Sequence, residues 1–270
     1  MNGGCVAPGA GRTPNARLYV WDDRFLWLSR DFKGSMTRRY AANVVLALTD
    51  KPFLLRLPRK SALPCWAALC SPRALRCIDA TDTPFLSLNL DPDCNDARLL
   101  DTVAQGRPVT TLPTDFCLRH RPELLKLLDG EMHALAARAA GNLIVYTLAG
   151  PAPVRHVDAR VQDLLCYLRQ HQLVDIDLTE LAQRYGLSPS RLAHLFTEQV
   201  GLPMSQFLLW MKMRQAVAMI QGGRSLTEIA QACGFSDSSH LTRTFKNFYG
   251  IQPSRLANSN YVQVMLCERE

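Results

Sequence analysis

The sequence predicts an α+β chain in two parts. A small β-barrel with helices after it spans residues 17–150. An all-α domain with two helix-turn-helix units joined by one long helix spans residues 157–258. Three observations predict this. Short apolar runs separated by Pro, Gly and Asp turns fill the first part, the habit of small barrels and sandwiches. One stretch occurs twice in the last third, as LTELAQRYGLSPSRLAHLFTEQVG from Leu178 to Gly201 and LTEIAQACGFSDSSHLTRTFKNFYG from Leu226 to Gly250. Between the copies lies an apolar-spaced run long enough for a single helix. Residues 1–16 are expected to form a mobile tail, 151–156 a linker and 259–270 a second tail.

Taken in order, Leu18 to Leu28 carries Tyr, Val, Trp and Phe around Asp22-Asp23-Arg24, two short strands with a turn between them. Tyr40 to Leu48, Asp50-Lys51-Pro52 and Phe53 to Leu57 read as strand, turn, strand. Trp66 to Cys70, Ala74 to Ile78 and Phe85 to Leu90 continue the series. Pro58, Pro64, Pro72 and Pro84 fall between the runs, where a missing N–H does no harm to a sheet. From Asp91 the spacing turns helical. Asn95 to Ala104 is one helix. Arg121 to Ala140 is another, with Leu124, Leu125, Leu128, Met132, Leu135 and Ala136 on one face. Asn142 to Leu148 fits strand or helix equally. Val157 to His171 opens the second domain as a helix, with Val161, Leu164, Leu165 and Leu168 turned inward.

Each copy of the repeat reads as helix, tight turn, helix. Asp177 and Ser225 are N-caps, and Glu180 and Glu228 stand three residues on, the spacing of a capping box. Gly186 and Gly234 supply the positive φ at which the first helix stops. Ser188 and Ser236 are expected to cap the second helices, with Pro189 suited to the first helical position. Leu192, Leu195 and Phe196 share one face, as do Leu241, Phe245 and Phe248. The opposite face carries Ser190, Arg191, His194 and Thr197 in one copy, and Ser238, Ser239, Thr242, Arg243 and Lys246 in the other. Such a hydrogen-bonding, partly cationic face fits a DNA major groove. The bland alternative is a pair of hairpins with solvated polar faces. Two copies with caps, turn glycines and core positions in step weigh against it.

These residues resemble the AraC/XylS family of transcription regulators. The resemblance runs from about Val157 to Leu256, and LTRTFKNFYGIQPSR is its most specific part. It implies a DNA-binding domain with two helix-turn-helix units on one joining helix, here Met204 to Gln221, about 27 Å long at 1.5 Å per residue. Major grooves one turn apart are separated by roughly 34 Å, so both reading helices, about 188–199 and 237–248, are expected on one face of the duplex. Base-edge contacts are expected from Ser190, Arg191, His194, Ser239 and Arg243, with Ala193 against a thymine methyl. Thr242, Lys246 and the helix N-termini would hold phosphates. After Pro253 the family usually has an aromatic residue followed by Arg, whereas this chain has Leu256-Ala257. Residues 25–95 more weakly resemble the cupin-like sensing barrel of that family, through LSLNLDPDCNDARLL. The expected partners are double-stranded promoter DNA, RNA polymerase, a second copy of the chain and a small-molecule effector.

Length and composition bound the reading. The chain has 270 residues, about two domains' worth. The net charge of +7 suits a polyanion partner, but residues 151–270 contribute only 12 Lys and Arg against 10 Asp and Glu. The nucleic-acid argument therefore rests on placement rather than bulk charge. The first His is His120 and the first Glu is Glu123, which excludes a His/Glu metal site in the barrel, so neither a cofactor nor an enzyme is expected. The start, MNGGCVAPGAGRTP, has no apolar run of a secretory signal, and no stretch is long enough for a membrane span. The nine cysteines form no C-x-x-C pair, as expected of a reduced cytoplasmic protein.

The remaining candidates have bland readings. Cys65, Cys70 and Cys77 fit small buried hydrophobes better than a soft-metal or oxidation sensor. His120 and His133 are expected at the surface, and His156 and His171 flank a helix. His240 is divided between phosphate contact and plain surface. Arg30, Lys33, Arg38, Arg39, Arg56, Arg59 and Lys60 fit a solvated rim better than an anionic effector pocket. The stripe from Leu124 to Leu135 is a candidate dimer contact.

Overall fold

In the computed structural model, residues 14–113, 115–150, 157–171 and 176–267 are described, without the side chains of 116 and 117. Most of the expected N-terminal tail, the linker at 151–156, His156, Cys5 and the Cys117 side chain lie outside these residues.

Twelve strands are described: β1 Ala16–Val20, β2 Arg24–Ser29, β3 Phe32–Lys33, β4 Thr37–Arg38, β5 Ala42–Ala47, β6 Phe53–Arg56, β7 Leu63–Cys65, β8 Ala67–Cys70, β9 Leu75–Ala80, β10 Phe85–Leu90, β11 Val109–Thr111 and β12 Val262–Leu266. They make a seven-stranded sheet in the order β11-β8-β5-β10-β2-β1-β12 and a smaller sheet in the order β3-β9-β6-β7, with β4 also on β9. The large sheet is buried on both faces because side chains alternate along each strand. Phe25 and Trp27 of β2 turn to the inner core with Phe32, Phe53 and Ile78 of the small sheet. Leu26 and Leu28 turn outward, under the helices α1 Asn95–Ala104, α2 Asp115–Asp129 and α3 Ala134–Ala149.

Several sequence expectations change here. The helix expected over 121–140 is two helices, because Gly130 takes φ +81° after α2. The ambiguous stretch 142–148 is part of α3. Pro64 sits inside β7 rather than between strands, at the sheet edge, where Pro is tolerated. Leu124, Leu127 and Leu128 are buried against the chain's own sheet, so most of the proposed dimer stripe is used internally. Residues 262–266, expected within a tail, form β12, parallel to β1 with Arg17 opposite Gln263.

The helical part comprises α4 Ala159–Gln170, α5 Leu178–Arg184, α6 Pro189–Val200, α7 Met204–Gln221, α8 Leu226–Ala232, α9 Ser238–Tyr249 and α10 Pro253–Ala257. Its first unit has a core of its own, built from Val161, Leu164, Leu192, Phe196, Met204 and Phe207. Its second unit does not. Trp210, Met213, Val217, Ile229, Phe245 and Phe248 belong to the inner core of the β-domain. The long helix α7 is therefore shared, its first turns in one core and its remainder in the other. Leu256 is buried and its carbonyl accepts from Gln221 at 3.2 Å, so α10 packs on α7 without the usual aromatic residue.

Candidate nucleic-acid interface

The two reading helices are held by the local chemistry of their turns. In both copies the first helix ends with paired backbone bonds: Gly186 N–H to Gln183 and Leu187 N–H to Ala182 in one, Gly234 N–H to Gln231 and Phe235 N–H to Ala230 in the other. This crossed pair is the Schellman arrangement, and it requires positive φ at the glycine. Gly186 and Gly234 have φ +64° and +69°. The Ser225 hydroxyl accepts from the Glu228 N–H while the Glu228 carboxylate accepts from Ser225, a complete capping box on α8. On α5, Asp177 accepts from the Thr179 N–H.

The caps of the reading helices differ from each other. Ser188 accepts from the Arg191 N–H and caps α6, as expected, with Pro189 in the first turn. In the second copy the cap is Asp237, which accepts from the His240 N–H at 2.7 Å, and not Ser236. The second turn is one residue longer, so the cap falls one place later. The Asp237 carboxyl is held below its usual range, first by that backbone bond and then by Ser236. Ser236 instead bonds Asp237 and faces His240 Nδ1 at 3.1 Å. His240 also packs edge-on to Phe235, which ties it to the turn.

The inward faces are fully committed. Leu192, Leu195 and Phe196 are buried on α6, and Leu241, Phe245 and Phe248 on α9. The predicted contact residues lie on the other side. Ser190, Arg191, Ala193, His194, Ser239, Arg243 and Lys246 are exposed, and Ser238 and Thr242 are half-buried. Between the two units α7 runs for 18 residues, the length expected. Among the described residues no helix is long and apolar enough to cross a membrane. Burial pushes the Cys65, Cys70 and Cys77 thiols up, the wrong direction for a reactive thiolate.

Sequence reasoning missed the fixation of the second unit. Arg214 on α7 holds Asp91 with two contacts of 2.8 Å and also donates to the Trp21 carbonyl. Arg39 donates to the Tyr249 carbonyl at the end of α9 at 3.3 Å. Phe25 stacks on Trp210 at 6.2 Å and meets Tyr249 edge-on at 5.8 Å. Arg169 of α4 pairs with Asp93. No short-range signal marks these contacts, since each partner lies more than seventy residues away.

Residues 181–259 match the family described as a helix-turn-helix domain. Over 101 residues the chain is 34% identical to the arabinose operon regulatory protein of Salmonella typhimurium, covering 36% of each chain. Over 90 residues it is 32% identical to the probable transcriptional regulator LumQ of Photobacterium leiognathi, covering 33% of this chain and 36% of that one. It is 31% identical to the transcriptional activator RhaS of Klebsiella pneumoniae over 97 residues, 35% of that protein. The chain thus spans about a third of the length of these relatives. Among solved structures, ToxT from Vibrio cholerae matches 87% of this chain and 95% of its own with a TM-score of 0.51 at 11% identity. That likeness covers the β-rich part as well and is one of fold.

Proposed function

We infer that this chain, whose C-terminal third is a helix-turn-helix domain of the AraC/XylS type, is a sequence-specific DNA-binding transcription regulator that places α6 and α9 in successive major grooves. One observation carries the reading. Both second helices bury their apolar faces and leave the predicted contact residues exposed or half-buried on the far side. Ser190, Arg191, His194, Ser239 and Arg243 would read base edges, with Ala193 against a thymine methyl. Ser238, Thr242 and Lys246 would hold the sugar-phosphate backbone. Cytoplasmic location, recruitment of RNA polymerase and pairing with a second copy belong to the same proposal. For the last, Leu135 and Tyr146 on α3 are about 60% exposed.

Selection of bound sites from random duplexes with purified protein tests this. The expected result is an asymmetric site with two base-specific patches about 10 bp apart per subunit. Recovery of random sequence, or of one patch only, would defeat the two-groove reading.

Effector control through the β-domain is the second part of the proposal. It is supported by the shared core, in which the wall of the barrel and the second reading unit are one body. ToxT has been solved with an unsaturated fatty acid bound, which is a property of ToxT.

A further inference from the structure

Between the β-domain and the first helix-turn-helix unit lies a cleft of about 920 Å³, a size that takes a small organic molecule. Its floor is made by two turns of the β-domain, which carry Asp22 and Asp23 after β1 and Asp91 and Asp93 after β10. The opposite wall is α4 and the first turns of α7, which present Leu165, Leu168, Phe207 and Met211.

The carboxylates of the floor are not equally matched. Asp91 accepts from Arg214 of α7 through both oxygens, each at 2.8 Å. Asp23 accepts from Arg24 at 2.7 Å, with Arg138 at 3.9 Å. Asp93 accepts from Arg169 of α4 through Oδ2 alone. Its Oδ1 has no hydrogen-bond partner among the described residues, in a side chain only 3% exposed. An ionised carboxylate oxygen only accepts, so the missing group is a donor. A buried carboxylate is disfavoured until its charge and its lone pairs are met.

Charge narrows the choice. The lining holds four carboxylates against the guanidinium groups of Arg169 and Arg214, so the donor that suits it is cationic. A bare metal ion does not fit, because among the described residues no three His, Cys, Asp or Glu side chains come together to hold one. The apolar wall facing Asp93 calls for a body as well as a charged head.

We propose that this cleft binds an organic ammonium ion with an apolar body, its N–H groups on Asp93 and its body against Leu165, Phe207 and Met211. Such a ligand touches the β-domain and α4 together and so steadies the first reading unit against the barrel. The consequence for reading DNA rests on the regulator reading, but the binding does not.

The test is calorimetric titration of the full chain at neutral pH with 2-phenylethylamine and hexylamine. The controls are 2-phenylethanol and hexan-1-ol, which keep the bodies without the charge, and methylamine, which keeps the charge without a body. Saturable binding of at least one of the two amines, at least tenfold tighter than its matched alcohol and methylamine, is expected. Asp93→Asn should weaken it at least tenfold. Arg169→Gln removes the cation that competes for the same carboxylate and should tighten it at least threefold. Both variants lose the same ion pair, so a merely structural effect would move them in the same direction. Hydrogen exchange on α4 should slow with the bound amine. Absence of saturable binding, equal binding of the matched alcohol or of methylamine, variants that do not move in opposite directions, or unchanged exchange on α4 overturns the proposal. All readouts are made without DNA. Failure here with intact site selection removes only the ligand, and failure of site selection leaves the ligand standing.

Discussion

Arg243 lies on the exposed face of α9, two turns inside the helix from the Asp237 cap. A guanidinium there can reach guanine in bidentate fashion. Arg243→Ala is expected to cost about 1–3 kcal/mol of specific affinity and to relax preference at one base pair. Equal loss on all sequences, read by binding titrations on single-base variants of the selected site, would assign it to a phosphate instead. Asp91 makes the opposite kind of prediction, on the interior. Burial pushes its carboxyl up to about 6, with Arg214 opposing the rise. A carboxyl with a raised folded-state pKa contributes stability that is complete below its unfolded value, near 3.8, and is lost as pH climbs through about 6. The melting temperature of the wild type relative to Asp91→Asn should therefore improve as pH falls from 7 to 4.5. A difference that stays flat over that window would contradict the assignment.

Single elements carry their own signatures, and some were legible in advance. The capping box on α8 was readable from Ser225 and Glu228 because it uses neighbours three residues apart. Ser225→Ala should cost about 0.5–2 kcal/mol, seen as a lower melting temperature with α9's exposed face unaltered. The cap of α9 was misplaced by one residue, since Ser236 and Asp237 are both good caps and only the longer turn chooses between them. The break at Gly130 was hidden because the apolar spacing continues across it. Strand β12 was invisible, as a five-residue strand whose partner β1 starts at Ala16 leaves no local mark. Val262 is 2% exposed, and Val262→Asp would place an unpaired carboxylate in the inner core. It is expected to lower the melting temperature by at least ~4 °C, at roughly 2–4 °C per kcal/mol for a chain of this class. No change would mean that β12 does not hold the edge of the sheet in solution.

At the scale of the molecule the division into cores is unequal. The first helix-turn-helix unit closes on its own core, whereas the second is continuous with the barrel. Opening the first unit exposes its own core, against which Tyr40 of the β-domain also packs, and leaves the larger shared core closed, so its amides on α5 and α6 should exchange at lower free energy than those of α9. Hydrogen exchange with mass readout decides this, and the reverse order would mean that the second unit is not docked. Binding to the selected duplex should also weaken steeply and linearly with the logarithm of salt concentration. An affinity insensitive to salt would favour a protein partner for these helices.

The sequence by itself determined the twin units, their turns and the outward side chains, because caps, turn glycines and helical spacing are short-range physics. It also determined the strands of the barrel that alternate within one run. Only the tertiary structure decided that the stripe on α2 covers its own sheet, that the second unit shares the barrel's core, and that Arg39 is buried without a carboxylate partner among the described residues. Arg39 looks like any rim arginine in the sequence. Its burial follows from β9 pairing with Arg38 through Leu75, 37 positions on, and from α9 arriving through Tyr249, 210 positions from Arg39, and no local pattern encodes such a meeting.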